Sequence, residues 1–241
     1  MNPIQDMISM NTNVANEDIS ILQLSDSFFP TGLYATSSGV EALSQAKKLK
    51  MNDISQLITV YLKQVIGPSD CIALGNAHQS YEKSDINSLL HTDESTYYMK
   101  LIEETRTASV RTGNQLLKCV MSFFKSKKIL KEYQSAINNG KATGLYPVSF
   151  GVVTASLGIP KKKAGLIFLY GFTVSIVGAS LRLGILEHFE SQKIIHDLRP
   201  VILQTALENI DKPVSSMWQF APGLDILQMN HEAMNQKMFI T

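Results

Sequence analysis

The chain has 241 residues, of which 44% are hydrophobic and only 18% charged, enough apolar material for a substantial core and too much for an intrinsically disordered segment. Its 22 basic side chains against 21 acidic ones leave a net charge of +1, so no basic field exists to hold a nucleic-acid backbone or an anionic membrane surface. Charged residues make up about a quarter of an average soluble protein, and the shortfall points to a large interior or to surface covered by obligate partners.

Residues 1–16 lack the basic and apolar regions of an export signal and read as a flexible N-terminal tail. From 17 to 241 the apolar residues recur at helical intervals almost throughout, and no stretch alternates with period two. This predicts an all-α, single-domain bundle of roughly eight to ten helices. Helices are expected at 17–26 and 39–48. Between them, at 24–41, Pro30 and Gly32 break the pattern, Phe28, Phe29 and Tyr34 are left exposed, and Ser37 and Ser38 are available as caps. Asn52 is a good N-cap for a helix with Ile54, Leu57, Ile58, Tyr61, Leu62, Val65 and Ile66 on one stripe, which Gly67-Pro68 should end. After a helix at 69–83, one long helix is expected from near Asp93 to Phe124. Its stripe steps by four and three through Tyr98, Ile102, Thr105, Ser109, Thr112, Leu116, Cys119 and Phe123, with small residues in the middle to admit a neighbour. Further helices are expected at 129–138, 148–157, 161–186, 190–210 and 224–237, punctuated by Gly140, Gly158 and Pro160. The stretch 164–181 has no charge and would extend about 27 Å. It reads as a buried central helix packed closely at Gly171, Ser175, Gly178 and Ala179, with a membrane span as the rival and no second candidate span. The helices 95–124 and 161–186 are therefore expected at the bundle centre. Lys161, Lys162 and Lys163 form a solvated run or face an acidic partner. Residues 226–241 end the chain with Ile226, Leu227, Met229, Met234, Met238, Phe239 and Ile240, more apolar surface than a free tail comfortably exposes, so 224–241 is expected to be a partner-docking segment.

No chemical motif assembles. The two cysteines, Cys71 and Cys119, stand alone within helical patterns, which suits small core hydrophobes and a reducing cytoplasm. His188 and His196 are too far apart on one helix to share an ion, and His78 and His91 read as helix-surface or capping residues. His231-Glu232 opens like a zincin H-E-x-x-H, but Asn235 takes the second histidine's place. Phosphate-binding loops and nucleophile elbows are missing. Glu103 and Glu104 have a simple ion-pair explanation in Arg106 and Arg111 on the same helix.

The segment after residue 19 resembles a known family. Leu22, Gln23, Leu24, Asp26, Ser27, Pro30, Gly32, Tyr34, Ser37 or Ser38, Gly39, Val40 and Glu41 follow the N-terminal pattern of the urease accessory protein UreF. Glu104, Arg106, Ala108, Ser109 and Gly113 resemble that family's E-x-R-x-A-S-x-x-x-G helix, residues 146–160 its segment leading to G-I-P, and Arg182-Leu183 the R-L after its apolar helix. Ala221, Pro222, Asp225, His231 and Glu232 resemble its A-P-x-x-D…H-E ending. Two stretches depart from the pattern: residues 184–191 lose an inner proline and glutamine while Gln192 is kept, and Lys237 replaces a terminal arginine, giving up a planar fork.

The resemblance implies an all-helical cytoplasmic protein without catalytic activity or a directly bound cofactor, a homodimer that binds a UreD/UreH-like accessory protein and recruits a UreG-like GTPase. The complex, rather than this chain, would then handle nickel for apo-urease, as a chaperone of metallocentre assembly with no nucleic acid or membrane involved. The candidate partner-binding residues are Asp26, Phe29, Pro30, Gly32, Tyr34, Glu41, Arg106, Arg182, Gln192, Pro222, Asp225, His231, Glu232, Lys237 and Phe239. Two rival readings stand beside it, a small helical metalloenzyme using His231 and Glu232 and a single-span membrane protein using 164–181.

Overall fold

Pro68 does not end its helix. In the computed structural model, which describes residues 16–26, 29–46, 48–124 and 128–240, the helix Met51–Tyr61 (α3) runs through a π-helical stretch, Leu62–Cys71, into Ile72–Lys83 (α4). Proline lacks the N–H and crowds the carbonyl four residues back, and the wider π turn makes room for its ring without stopping the chain. The start differs too. Lys50 rather than Asn52 is the N-cap, its N–H donated to the Asp53 carboxylate at 2.9 Å.

A helical run at 16–25 (α1) is followed by Val40–Ala46 (α2), Ile86–Met99 (α5), Glu103–Phe123 (α6), Lys128–Asn138 (α7), Tyr146–Ser156 (α8), Lys161–Arg182 (α9), His188–Asp197 (α10), Arg199–Asn209 (α11) and Pro222–Glu232 (α12). The described residues contain no strand, and the chain is an all-α bundle. The flexible tail expected at 1–16, the exposure expected of Phe28 and the motif residue Ser27 fall, apart from Asn16, outside the described residues. Two helices expected to be single are each double. Asp85 caps α5, its carboxylate accepting the Ser88 N–H at 3.1 Å, and the backbone turns extended at Lys100 and Ile102 before α6. The chain turns again at Leu198, ahead of Pro200, whose ring starts α11.

The centre of the bundle is α8, not the pair of helices expected there. It is buried continuously from Pro147 to Thr154 and lies against α4 and α6. The α4 crossing is so close that a Cβ on Gly151 would overlap the Leu74 carbonyl oxygen. The apolar α9, uncharged only over 164–181, is half buried over its most apolar window. A Cβ on Gly171 or Gly178 would meet nothing within 4 Å, so these glycines are not the close-packing points they were expected to be. Nor is α9 alone in its apolarity: the continuous Met51–Lys83 helix is also long and apolar enough to cross a membrane, with 72% of its window buried within the bundle.

Polar side chains brace the interior. The buried Asp93 carboxylate accepts the Tyr133 hydroxyl at 2.8 Å and the backbone N–H groups of Thr143, Gly144 and Leu145, fixing the loop that starts α8. The π stretch turns Asp70 inward to Lys100, 2.8 Å from its Nζ, with both side chains buried. Beside it, burial pushes the Cys71 thiol up to about 12. His78 is buried rather than on the surface, its Nε2 lying 2.8 Å from the Ile159 carbonyl. The lysine run at the start of α9 is largely answered within the chain, Lys161 by Asp211 and Lys163 by Glu17 at 2.6 Å.

Candidate functional site

Three remote parts of the chain meet at one end of α9. The first is the N-terminal corner, where Phe29 N–H returns to the Asp26 carbonyl at 3.0 Å and a short 3-10 turn at Leu33–Ala35 leads into α2. Gly39, at φ +82°, occupies left-handed backbone that side chains rarely adopt, and a Cβ there would press on Leu227 of α12 at 3.0 Å. That contact seats α12 directly over the start of α2.

The turn aims Glu41 inward, and the end of the chain comes to meet it. Glu41, 5% exposed, accepts the backbone N–H of Met238 at 2.7 Å and of Phe239 at 3.0 Å, while His231 Nε2 lies 3.2 Å away. His231, fully buried, has Nδ1 2.8 Å from Glu104 of α6. A ring whose two nitrogens both face carboxylate oxygens satisfies both only as a double donor. Lys237 adds its Nζ to Glu104 at 2.8 Å and to the Glu232 carbonyl at 3.0 Å. Two carboxylates thus face two basic side chains. Burial pushes the Glu41 carboxyl up, but the donated Met238, Phe239 and His231 hydrogen bonds outweigh it and hold the group below the ordinary glutamate range.

Arg182, in the last turn of α9, closes the other side. Its guanidinium lies between the rings of Tyr34 at 3.8 Å and Phe239 at 4.6 Å, a cation held between two aromatic faces. It also donates to the carbonyls of Gly178 and Tyr34. The Ile240 N–H donates to the Ala35 carbonyl at 2.8 Å, so the chain's end is stitched to the corner. Behind this, Thr105 donates to Gln228, which donates to the Tyr61 hydroxyl, which donates to the Ser38 carbonyl. Burial pushes the Tyr61 phenol well above its usual range.

Of the residues picked out from sequence, Tyr34, Glu41, Arg182, His231, Lys237 and Phe239 converge here, with Glu232 joining through its carbonyl. Pro222 and Asp225 start α12; burial raises the Asp225 carboxyl. Asp26, Phe29, Gly32 and Tyr34 line, with Arg182, a cavity of about 200 Å³ beneath the corner, and exposed Pro30 lies at the turn above it. Arg106 stands apart, stacked on Tyr97 at 5.0 Å and donating to the Lys100 carbonyl, and Gln192 is exposed on α10. The member that sequence reasoning misassigned is Glu104, whose partners are His231 and Lys237 rather than Arg106 and Arg111. Its signal was available: two basic residues in an apolar terminal segment require acids from elsewhere in the chain. The segment 222–240 lies on its own bundle, and its Ile226, Met229 and Met238 remain exposed. No group of three or more histidine, cysteine, aspartate or glutamate side chains among the described residues is placed to hold a metal ion.

An all-helical bundle whose most elaborate polar cluster ties its own two ends together defines a class of protein in which that cluster serves architecture. Sequence comparison identifies the family within that class. A model of the UreF family matches residues 50–199. The chain is 32% identical over 231 residues to the urease accessory protein UreF of Trichodesmium erythraeum, covering 95% of this chain and 99% of that one. It is 29% identical over 222 residues to the urease accessory protein UreF 1 of Brucella melitensis, covering 92% of each, and 26% identical over 227 residues to the UreF of Bacillus sp. strain TB-90. The chain belongs to the UreF family of urease accessory proteins.

Proposed function

We propose that the chain acts in urease maturation as a non-catalytic chaperone. It works as a homodimer in the cytoplasm and joins a UreD/UreH-like accessory protein to a UreG-like GTPase, so that the assembly inserts nickel into apo-urease. Family membership over most of the chain supports the urease role. The observation that carries the partner-binding part is the join between the N-terminal corner and the C-terminal segment. Its inner face is tied to Glu41 and Arg182, while Tyr34 of the corner and Ile226, Met229 and Met238 of the segment stay exposed, apolar side chains that a partner can cover. Such a face fits a partner that needs the two ends in fixed register. His231, which the metalloenzyme reading requires as a ligand, has both nitrogens committed to carboxylates.

The test is reconstitution. The chain, a UreD-like protein, a UreG-like GTPase and apo-urease are mixed with nickel and bicarbonate, and complex formation and urease activity are followed. Tyr34→Ala combined with Met238→Ala should weaken the complex and slow activation while helicity is unchanged. Full complex formation by that variant would place partner binding on another face, and full activation without the chain would overturn the proposal.

A further inference from the structure

A second surface, on the opposite use of α6, carries charge that the chain does not answer. An open groove of about 730 Å³ runs between α6, α7 and the loop before α8, with Arg106, Arg111 and Lys118 along its wall and Val110, Ile137 and Ala142 among its apolar residues. No carboxylate lines it. Glu103, on the same helical stripe, sits one turn beyond its end. Among the described residues, Arg111 and Lys118 are exposed and have no ion-pair partner, unlike Lys161 and Lys163, which are paired within the chain.

We infer that this groove binds an extended acidic segment of a partner protein. The three cations span twelve residues of helix, about 18 Å, with gaps of about 7.5 and 10.5 Å. An extended chain places alternate side chains on one face about 6.6 Å apart, so four carboxylates at alternate residues span that length beside the three cations, while the apolar side chains between them face Ile137 and Ala142 across the groove. Arg106 is held in place for this by its stacking on Tyr97 and its bond to the Lys100 carbonyl. A single-stranded nucleic acid fits less well. It needs free aromatic faces on which to stack bases, and the Tyr97 ring is already taken up by Arg106 on its face and Tyr98 at 5.7 Å. The inference goes beyond the proposed maturation role and does not depend on the corner surface.

The experiment uses the full chain and a short fluorescein-labelled peptide of alternating glutamate and leucine, with a glutamine–leucine peptide as its neutral counterpart, read by fluorescence polarisation at low salt. The glutamate peptide should bind, and Arg111→Glu with Lys118→Glu should weaken it by about tenfold or more. The charge-matched pair Lys63→Glu with Lys162→Glu, on exposed positions elsewhere, should change it less than about twofold. Circular dichroism checks that both variants fold; if the Glu variant does not, Arg111→Gln with Lys118→Gln takes its place. Equal loss in the control pair, equal binding of the glutamine peptide, or tighter binding of a labelled oligothymidine would overturn the inference. Because the readout is a peptide, failure here leaves the reconstitution of urease untouched, and the reverse also holds.

Discussion

Replacing Glu41 with alanine should free the end of the chain without unfolding the bundle. The substitution removes one carboxylate and strands three donors: the N–H groups of Met238 and Phe239 and the His231 ring. Met238 is 66% exposed and re-solvates readily, whereas Phe239 and His231 are buried. An unsatisfied buried donor costs about 1–3 kcal/mol, more when charged, so the intact arrangement loses about 3–5 kcal/mol. Peeling residues 233–240 away gives up the burial of Phe239, about 1.5–3 kcal/mol, its contact with Arg182, the Lys237–Glu104 pair and the Ile240–Ala35 hydrogen bond, but it re-solvates the Met238 and Phe239 N–H groups and recovers backbone entropy. Peeling is therefore the easier response. Amide hydrogen exchange is the assay, and the Phe239 and Ile240 amides should exchange about 100-fold faster or more, as expected for about 3 kcal/mol. Amides within α8 should keep their protection. Exchange at 239–240 within about threefold of wild type would show that Glu41 does not hold the segment.

Acid should reproduce the same release. The Glu41 carboxyl lies lower in the folded protein than its unfolded value of about 4.3, so its contribution is full above that pH and is lost as the pH falls through the folded value; a pH series of 239–240 exchange should show this in wild type and flatten in Glu41→Gln. Gly151→Ala should cost about 3 kcal/mol or more, since backbone must move, whereas Gly178→Ala, which meets open space on a helix, should be neutral or stabilise by up to about 1 kcal/mol; urea midpoints of the two variants separate these outcomes. Lys100→Ala should destabilise by about 3–5 kcal/mol by stranding Asp70, while Asp70→Leu with Lys100→Met should recover most of the loss in the same titration.

The helical class was legible because the apolar stripes repeat at helical spacing through nearly every segment. Local rules failed where a long-range contact overrode them. Gly67-Pro68 reads as a stop, yet packing on both sides carries the helix through as a π turn. The small-residue stripe of α9 reads as a close-packing face, but the close backbone approaches fall at isolated glycines on other helices, Gly75, Gly113 and Gly151. The corner was picked out by Pro30, Gly32 and its aromatic side chains and His231 by the opening of an H-E-x-x-H string, and the resemblance to a family pattern added Glu41, Arg182 and Lys237. Their mutual geometry was not visible because Glu41 and Met238 are 197 positions apart, and His231 and Glu104 are 127 apart. No pattern within a helix encodes that the acid answering His231 lies on α6, and the nearer arginines made a plausible local pairing for Glu104.

That separation also sets an order of events during synthesis. At about 5–20 residues per second, about 10–40 s pass between the appearance of Glu41 and that of Met238. For that time the nascent chain carries a carboxylate whose eventual partners do not yet exist, and Gly39 has no Leu227 to pack against it. The helices α4, α6 and α8, which pack on one another, are all made before the C-terminal segment. The corner must wait, so a segment made late locks one made early.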